Sequence, residues 1–394
     1  MTRASLDILF VGNLPPHPGG AAISWAQLLH GFAMRGNRVR AVAPITETLL
    51  QGEDWFAATH PEIEVARFVV PHYYTSPDIP ASDEYRRLER DGIHARLSSL
   101  AECRRPDLVL IGRETYGLHG VDFATGVPLP CVLGIRGNTM LAILNRTYPD
   151  VLARELLARF RKADRLVSVA EHMANGLRAL GFEDVAVVPN AVDLAMFAPR
   201  LRDDGLLRTL GIRGDDVVVV HASNLKPAKR PLDLIASAER ALRQDPRLVY
   251  VVVGDGAARA SMEAACRVSG ILPRFRFVGW VDYLDMPRYL SLADVIVMPS
   301  RSEGMSRVYL ETQACGRLLL ASDIPAAREV VRDGETGLLF ALGDIDDLTG
   351  KTLGAAASPG LRAAIGHRAA ERVKAHDLER AVDAYLAIFE DLVK

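Results

Sequence analysis

The sequence predicts an α/β protein made of two doubly wound parallel-sheet domains in series. Short apolar runs alternate with helical stretches along the chain, which is the pattern of a parallel sheet covered by helices on both faces. The alternation stops once, in a polar, Pro- and Arg-rich passage from Pro199 to Gly214, and then begins again. The length of 394 residues, 49% hydrophobic and 24% charged, supplies two cores at about 100–200 residues per domain. The expected division is 1–195 and 196–375, with a final helical segment over 376–394.

Leu6 to Val11 opens the first domain as a strand that stops at Gly12-Asn13-Leu14-Pro15-Pro16, followed by a loop through Gly19-Gly20. Trp25, Leu28, Leu29 and Phe32 then recur at helical spacing, Gly36 sits where a C-terminal glycine cap belongs, and Val39 to Ala43 restarts a strand. Asp107 to Ile111, Pro130 to Ile135, Leu166 to Val169 and Val185 to Val188 are further strands, with helices over Val151 to Phe160 and His172 to Leu180. In the second domain the strands are Val217 to Val220, Leu248 to Val253, Phe275 to Val278, Val295 to Met298 and Leu318 to Ala321. Leu378, Val382, Tyr385, Leu386, Phe389 and Leu392 share one face of the last helix, which must dock on an apolar surface.

Composition excludes several classes of function. Lys plus Arg number 47 against 49 Asp plus Glu, a net charge of -2, so no basic field is present to hold a nucleic-acid backbone. Cys103, Cys131, Cys266 and Cys315 form neither a CxxC pair nor a Cys/His metal spacing, and the chain reads as reduced and cytoplasmic. The uncharged apolar candidate Phe123 to Ile135 is too short to span a bilayer and carries Pro128 and Pro130; Asp7 interrupts the first apolar run, unlike a signal peptide. Neither a cofactor nor a bound metal is expected.

The passage richest in chemistry runs from Pro299 to Gly316. The turn Pro299-Ser300-Arg301-Ser302-Glu303-Gly304 leaves the carboxyl end of a buried strand, where open parallel sheets bind ligands. Met305 and Ser306 lead into a helix with Ser306 as its N-cap, and backbone N–H groups at such a helix start suit a phosphate. Glu303 precedes the helix and Glu311 lies about five residues into it, roughly 7–8 Å along the axis. Two carboxylates flanking an anion site match a nucleotide diphosphate-sugar: diphosphate at the helix start, hexose hydroxyls at Glu303, ribose diol at Glu311. The plainer reading makes Glu303 a helix cap and Glu311 a solvated residue.

With these residues the sequence resembles the retaining glycosyltransferases of family 4, the glycosyl transferases group 1, whose signature is two glutamates separated by seven residues. The Gly19-Gly20 loop, Ala163-Asp164-Arg165, Val188 to Asp193, Val253-Gly254-Asp255-Gly256 and Asp333 to Leu338 follow in the family's order. The resemblance implies a GT-B fold, two Rossmann-like domains facing a central cleft, with the terminal helix 376–394 crossing back to the first domain. Gly19 and Gly20 would let backbone N–H groups approach the donor phosphates or the acceptor, and Lys229 would neutralise the diphosphate. Asn224 stands where the family usually has an arginine, with Lys226, Arg230 and Arg259 as candidate substitutes. Arg136, after the strand Cys131 to Ile135, stands where many members have a histidine; an arginine cannot act as a general base, but it can fix a sugar hydroxyl, a phosphate or an anionic acceptor, or make a structural ion pair. The nucleotide base would lie near Val278-Gly279-Trp280.

The implied reaction moves a hexose from a nucleotide-diphosphate sugar, UDP-linked first and GDP-linked next, to a sugar, lipid or small-molecule acceptor, with retention and without a divalent metal. The only Asp-x-Asp triplet, Asp344-Ile345-Asp346, reads as a helix cap. A GT-B epimerase and a catalytically silent nucleotide-sugar binder remain as alternatives. Gly254-Asp255-Gly256-Ala257-Ala258-Arg259 resembles a dinucleotide fingerprint, but Arg259 occupies the third glycine's place, so a nicotinamide enzyme is the weaker reading. The basic segment around Arg146, Arg154, Arg159, Arg161, Lys162 and Arg165 has an apolar stripe of Val151, Leu152, Leu156 and Phe160. A domain helix with a solvated face is read there ahead of a peripheral contact with the inner membrane face, because Asp150, Glu155 and Asp164 dilute the charge.

Overall fold

Runs of valine, leucine and isoleucine four to six residues long are too short for buried helices and suit strands covered on both faces. In the computed structural model, which describes residues 5–51, 54–73 and 81–394, they form two parallel sheets in two units. Unit 1 comprises Met1–Asn190 with Leu378–Lys394, and unit 2 comprises Ala191–Asp377.

The strands of unit 1 are β1 (Asp7–Val11), β2 (Arg38–Thr46), β3 (Ile63–Val70), β4 (Leu108–Ile111), β5 (Cys131–Ile135), β6 (Arg165–Ser168) and β7 (Val185–Val187). Their order is β3-β2-β1-β4-β5-β6-β7, and β1 pairs in parallel with both β2 and β4. The winding therefore reverses between β1 and β4, and loops at the carboxyl ends of these strands border the crevice where such sheets take ligands. Asp7, the charge inside the first apolar run, is buried and accepts hydrogen bonds from Arg40 Nε at 2.9 Å and Nη2 at 2.7 Å.

Helix Leu378–Leu392 belongs to unit 1 and packs on helix Gly20–Met34. Its Tyr385 ring lies 5.8 Å from Trp25, and Phe389 lies 5.4 Å from Phe32. A Cβ on Gly31 would stand 2.4 Å from Val382 Cγ2, so a glycine there lets the two helices approach. Val382, Tyr385, Leu386 and Phe389 are all buried, each worth about 1.5–3 kcal/mol.

Unit 2 repeats the plan with β8 (Val217–Ala222), β9 (Leu248–Val253), β10 (Phe275–Gly279), β11 (Val295–Met298), β12 (Leu318–Ser322) and β13 (Leu338–Phe340) in the order β10-β9-β8-β11-β12-β13. The winding reverses between β8 and β11. Unit 2 begins at Ala191, ahead of the expected 196, because Val192 donates from its backbone N–H to His376 at 2.9 Å and bridges Asp377. The same pairing keeps residues 376 and 377 in unit 2 and starts the returning segment at Leu378.

The apolar stripe of helix Asp150–Phe160 faces inward through Ala153, Leu156 and Phe160, while Val151 is exposed. Arg161 donates to the Leu180 carbonyl at 2.9 Å and covers the Phe182 ring, and Arg165 pairs with Asp184 at 3.1 Å. Part of the basic segment is thus used within the unit. Among the described residues no helix is long and apolar enough to cross a membrane.

Candidate functional site

In unit 2 two loops meet at the reversal point. The one after β8 carries Ser223 to Lys229 and the one after β11 carries Pro299 to Ser306; Arg301 N–H donates to the Ala228 carbonyl at 2.8 Å and ties them together. Beneath them, His221 is fully buried in β8. Its Nδ1 lies 2.9 Å from the Val297 carbonyl of β11, and its Nε2 lies 2.8 Å from Ser223 Oγ. A carbonyl only accepts, which assigns the proton to Nδ1 and leaves Nε2 to accept from the serine hydroxyl. Burial pushes the imidazole pKa down to about 4, against a smaller upward effect of the Val297 bond, so the ring is neutral near pH 7 and joins both loop-bearing strands.

Gly254 and Gly256 press a third turn against these loops. Their φ values are 108° and 154°, and a Cβ at either would stand 1.9 Å from the Ser223 carbonyl oxygen or 2.1 Å from that of Asn224. The glycine pair thus has a packing reason that needs no dinucleotide. Arg259 is held by Asp255 at 2.8 Å and Glu263 at 3.0 Å, and Arg230 by Asp233 at 2.7 Å. Two of the three suggested substitutes for the family arginine therefore already face carboxylates. Among the described residues, Asn224 Oδ1 is buried without a hydrogen-bond partner.

Lys229 ends the short turn Pro227–Lys229, and its Nζ lies 2.5 Å from Glu303 Oε1. Ser300 Oγ donates to the same oxygen at 2.7 Å. Glu303 is 8% exposed, and the loop from Glu303 to Ser306, including Gly304 and Met305, is buried. Ser306 occupies the N-cap position of helix Arg307–Ala314, but its hydroxyl makes no capping bond, which corrects the expected side-chain cap. Glu311 is buried rather than solvated: its Oε1 accepts from Arg307 Nε at 3.2 Å and from Tyr283 Oη at 3.2 Å. Arg307 also lies over the Tyr283 ring at 4.9 Å. Near Val278, Gly279 has φ 83° and accepts from Gly254 N–H at 2.7 Å, while Trp280 is exposed.

Gly19, Gly20 and Arg136 belong to unit 1. Gly19, with φ 116°, precedes helix Gly20–Met34, and among the described residues a Cβ there would meet nothing within 4 Å; its requirement for glycine is conformational. Arg136 lies over the Trp25 ring at 4.1 Å and donates to Asn190 Oδ1 at 2.7 Å. The backbone N–H groups of Arg136 and Gly137 both donate to Glu114 Oε1, at 3.0 and 2.7 Å. Glu114 is buried after β4 and fixes the loop after β5.

Glu114, His221, Ser300, Tyr283 and Arg307 were not singled out from sequence. Arg307 and Glu311 at i,i+4 on a helix were a readable pair, and a histidine inside an otherwise apolar strand was a second signal. Tyr283 has no local signature.

A model of the family described as glycosyl transferases group 1 matches residues 206–372, and one described as Glycosyltransferase Family 4 matches residues 18–196. The chain is 32% identical over 341 residues to the D-inositol 3-phosphate glycosyltransferase of Kribbella flavida, covering 78% of this chain and 79% of that one. It is 31% identical over 241 residues to the enzyme of the same name from Actinosynnema mirum, covering 58% of this chain and 57% of that relative's length. The solved structure of Anabaena HepE in complex with UDP and glucose superposes with a TM-score of 0.80 at 18% identity, over 98% of this chain and 100% of that one.

Proposed function

The chain belongs to the glycosyl transferases group 1, and from that premise we propose that it is a retaining hexosyltransferase. The donor in this reading is a UDP-sugar, with a GDP-sugar next, and the acceptor a sugar, lipid or small molecule. The observation that carries it is the Lys229–Glu303–Ser300 cluster at the carboxyl ends of β8 and β11, where a doubly wound sheet binds its ligand. HepE, similar in fold, is a structure in complex with UDP and glucose.

Lys229 turns from Glu303 to the donor diphosphate, and the N–H groups at Gly304 to Ser306 add positive potential at the helix start. Glu303, released from the ammonium, accepts from hexose hydroxyls; Glu311, steadied by Arg307 and Tyr283, accepts from the ribose diol. Asn224 contributes its amide near the phosphates and Val278 borders the base, while within unit 1 Gly19, Gly20 and Arg136 are the groups offered to a phosphate or sugar hydroxyl. The acceptor oxygen forms its bond to the anomeric carbon as the bond from that carbon to the phosphate oxygen breaks. The departing diphosphate takes the acceptor's proton on the same face, and the protein supplies positioning and charge stabilisation.

With an ammonium and helix-terminal N–H groups at the diphosphate, the reaction requires no divalent metal. The Asp344-Ile345-Asp346 triplet is otherwise engaged: Asp344 Oδ1 caps its helix by accepting from Asp347 N–H at 2.9 Å, and Asp346 pairs with Arg240. A thermal-shift screen with UDP-, GDP- and ADP-sugars tests the donor, since a ligand at 100 times its dissociation constant stabilises by about 2.7 kcal/mol. Turnover with and without added acceptor then separates a transferase from an epimerase or a silent binder. No stabilisation by any nucleotide sugar would overturn the reading.

A further inference from the structure

Helix Gly20–Met34 starts at the carboxyl end of β1 and runs back along the sheet, so His30 is carried roughly 15 Å from Gly20 at 1.5 Å per residue. There it meets the segment that leads into the amino end of β3, where His60 follows the short helix Trp55–Thr59 and Glu62 precedes Ile63. One ligand atom from each of His30, His60 and Glu62 lies within 4.8 Å of the others. None of these residues takes part in the donor chemistry argued above.

The three side chains are arranged in a particular way. His30 Nδ1 lies 2.7 Å from Glu62 Oε1. The His60 ring stacks on Phe56 at 4.4 Å and stands edge-on to His30 at 5.7 Å. His60 Nδ1 lies 3.1 Å from the Phe56 carbonyl and 3.0 Å from Thr59 Oγ1. Because the carbonyl can only accept, it assigns the proton of neutral His60 to Nδ1 and leaves the lone pair on Nε2, as a backbone carbonyl does for a metal-binding histidine.

We propose that His30, His60 and Glu62 form a binding site for a divalent transition-metal cation, with zinc as the best match, that clips helix Gly20–Met34 to the start of β3. Two imidazoles and one carboxylate favour zinc and its first-row neighbours over magnesium or calcium, which prefer oxygen ligands. Metal–ligand bonds of about 2.0–2.2 Å place tetrahedral ligand atoms about 3.3 Å apart. His30, whose side chain is 47% exposed, has the freedom to close that gap by rotating. The ion takes the place of the direct His30–Glu62 contact, and water fills its fourth position. Since the unfolded chain does not gather these groups, the ion stabilises unit 1, while turnover proceeds without it.

The test uses the full-length, tag-free protein stripped with chelator and titrated with zinc chloride by calorimetry, with melting temperature followed in parallel. The expected result is one equivalent of zinc bound and a raised melting temperature. His30→Ala and His60→Ala should each weaken zinc binding at least tenfold, while His367→Ala leaves it unchanged. If an alanine variant melts early without zinc, Glu62→Gln replaces it, keeping the side chain's size and removing its charge. Cobalt(II) in place of zinc should give visible absorption of a low-coordinate nitrogen and oxygen site, lost in the same variants. The proposal fails if the wild type binds no zinc up to about 100 µM, an affinity of roughly 5.5 kcal/mol, or if the His30→Ala/His60→Ala double variant binds it equally well. UDP-sugar binding by the stripped protein is a separate readout, so failure here leaves the donor-site reading standing.

Discussion

Lys229→Ala separates the two partners this lysine has in the reading above. In the structure its ammonium bonds Glu303 at 2.5 Å, with side chains 19% and 8% exposed; with donor bound it faces the diphosphate. Breaking a fully buried pair costs 3–5 kcal/mol, but here the ammonium is partly solvated and Ser300 still serves the carboxylate, so about 1–3 kcal/mol of local stability should be lost. A charge-assisted hydrogen bond to phosphate is worth about 1.5–3 kcal/mol, which is about 10- to 150-fold in nucleotide affinity. The double variant Lys229→Ala/Glu303→Gln removes the unpaired charge, so stability should recover while nucleotide affinity stays low. Calorimetric titration with UDP and GDP measures affinity. Hydrogen exchange of the β8 and β11 amides measures local stability, which suits a two-unit chain that need not unfold in one step. A folded Lys229→Ala variant that binds UDP and GDP within twofold of the wild type, where the wild type binds either, refutes the diphosphate assignment.

Gly254→Ala should destabilise unit 2 by several kcal/mol, since its Cβ would sit 1.9 Å from a backbone oxygen, whereas Gly19→Ala, strained but unobstructed among the described residues, should cost only about 1 kcal/mol; denaturant melts compare them. His221 and His119 both have pKa values depressed from 6.5 to about 4, chiefly by burial. As pH falls below 6.5 the unfolded state takes up protons that the native state refuses until about pH 4, so stability is full above this window and falls through it, by up to about 3 kcal/mol for the fully buried His221. A His221→Asn variant with an unchanged slope between pH 6.5 and 4 would rule out its share. Truncation after Asp377 uncovers Trp25 and Phe32 and should abolish the cooperative melting of unit 1, followed by intrinsic tryptophan fluorescence; full retention of that transition would contradict the packing described. Turnover should survive excess EDTA and be nearly unchanged in Asp344→Asn, and a rate lost to chelator and restored by magnesium or manganese would reverse the metal assignment.

Strands such as Leu248–Val253 and Val295–Met298 were legible because both faces of a central parallel strand are buried, leaving an unbroken apolar run. β3 and β13 carry no such run for the converse reason. Both lie at sheet edges; β3 carries Glu64 and Arg67, the latter paired with Asp54 at 2.7 Å, and β13 has only three residues. In the site, Glu303 and Glu311 could be named because their spacing lies within one turn and one helix. The Lys229–Glu303 bond joins residues 74 positions apart, and no local pattern encodes such a bond. Glu114 was invisible for a related reason: its role is to bind the backbone of residues 22 and 23 positions away, a task many carboxylates could perform.

The return of helix Leu378–Leu392 to unit 1 sets an order of events during synthesis. When Asn190 leaves the ribosome, every strand of the first sheet has been made, yet the faces of Trp25 and Phe32 that will meet Tyr385 and Phe389 have no cover. The whole of unit 2, roughly 190 residues, must be translated before the covering segment emerges, about 10–40 s at 5–20 residues per second. Over that interval unit 1 is a nascent domain whose aromatic seam lacks its covering helix. Unit 2, contiguous in sequence, can complete its own core first, so the half of the molecule synthesised second is the half able to finish folding first.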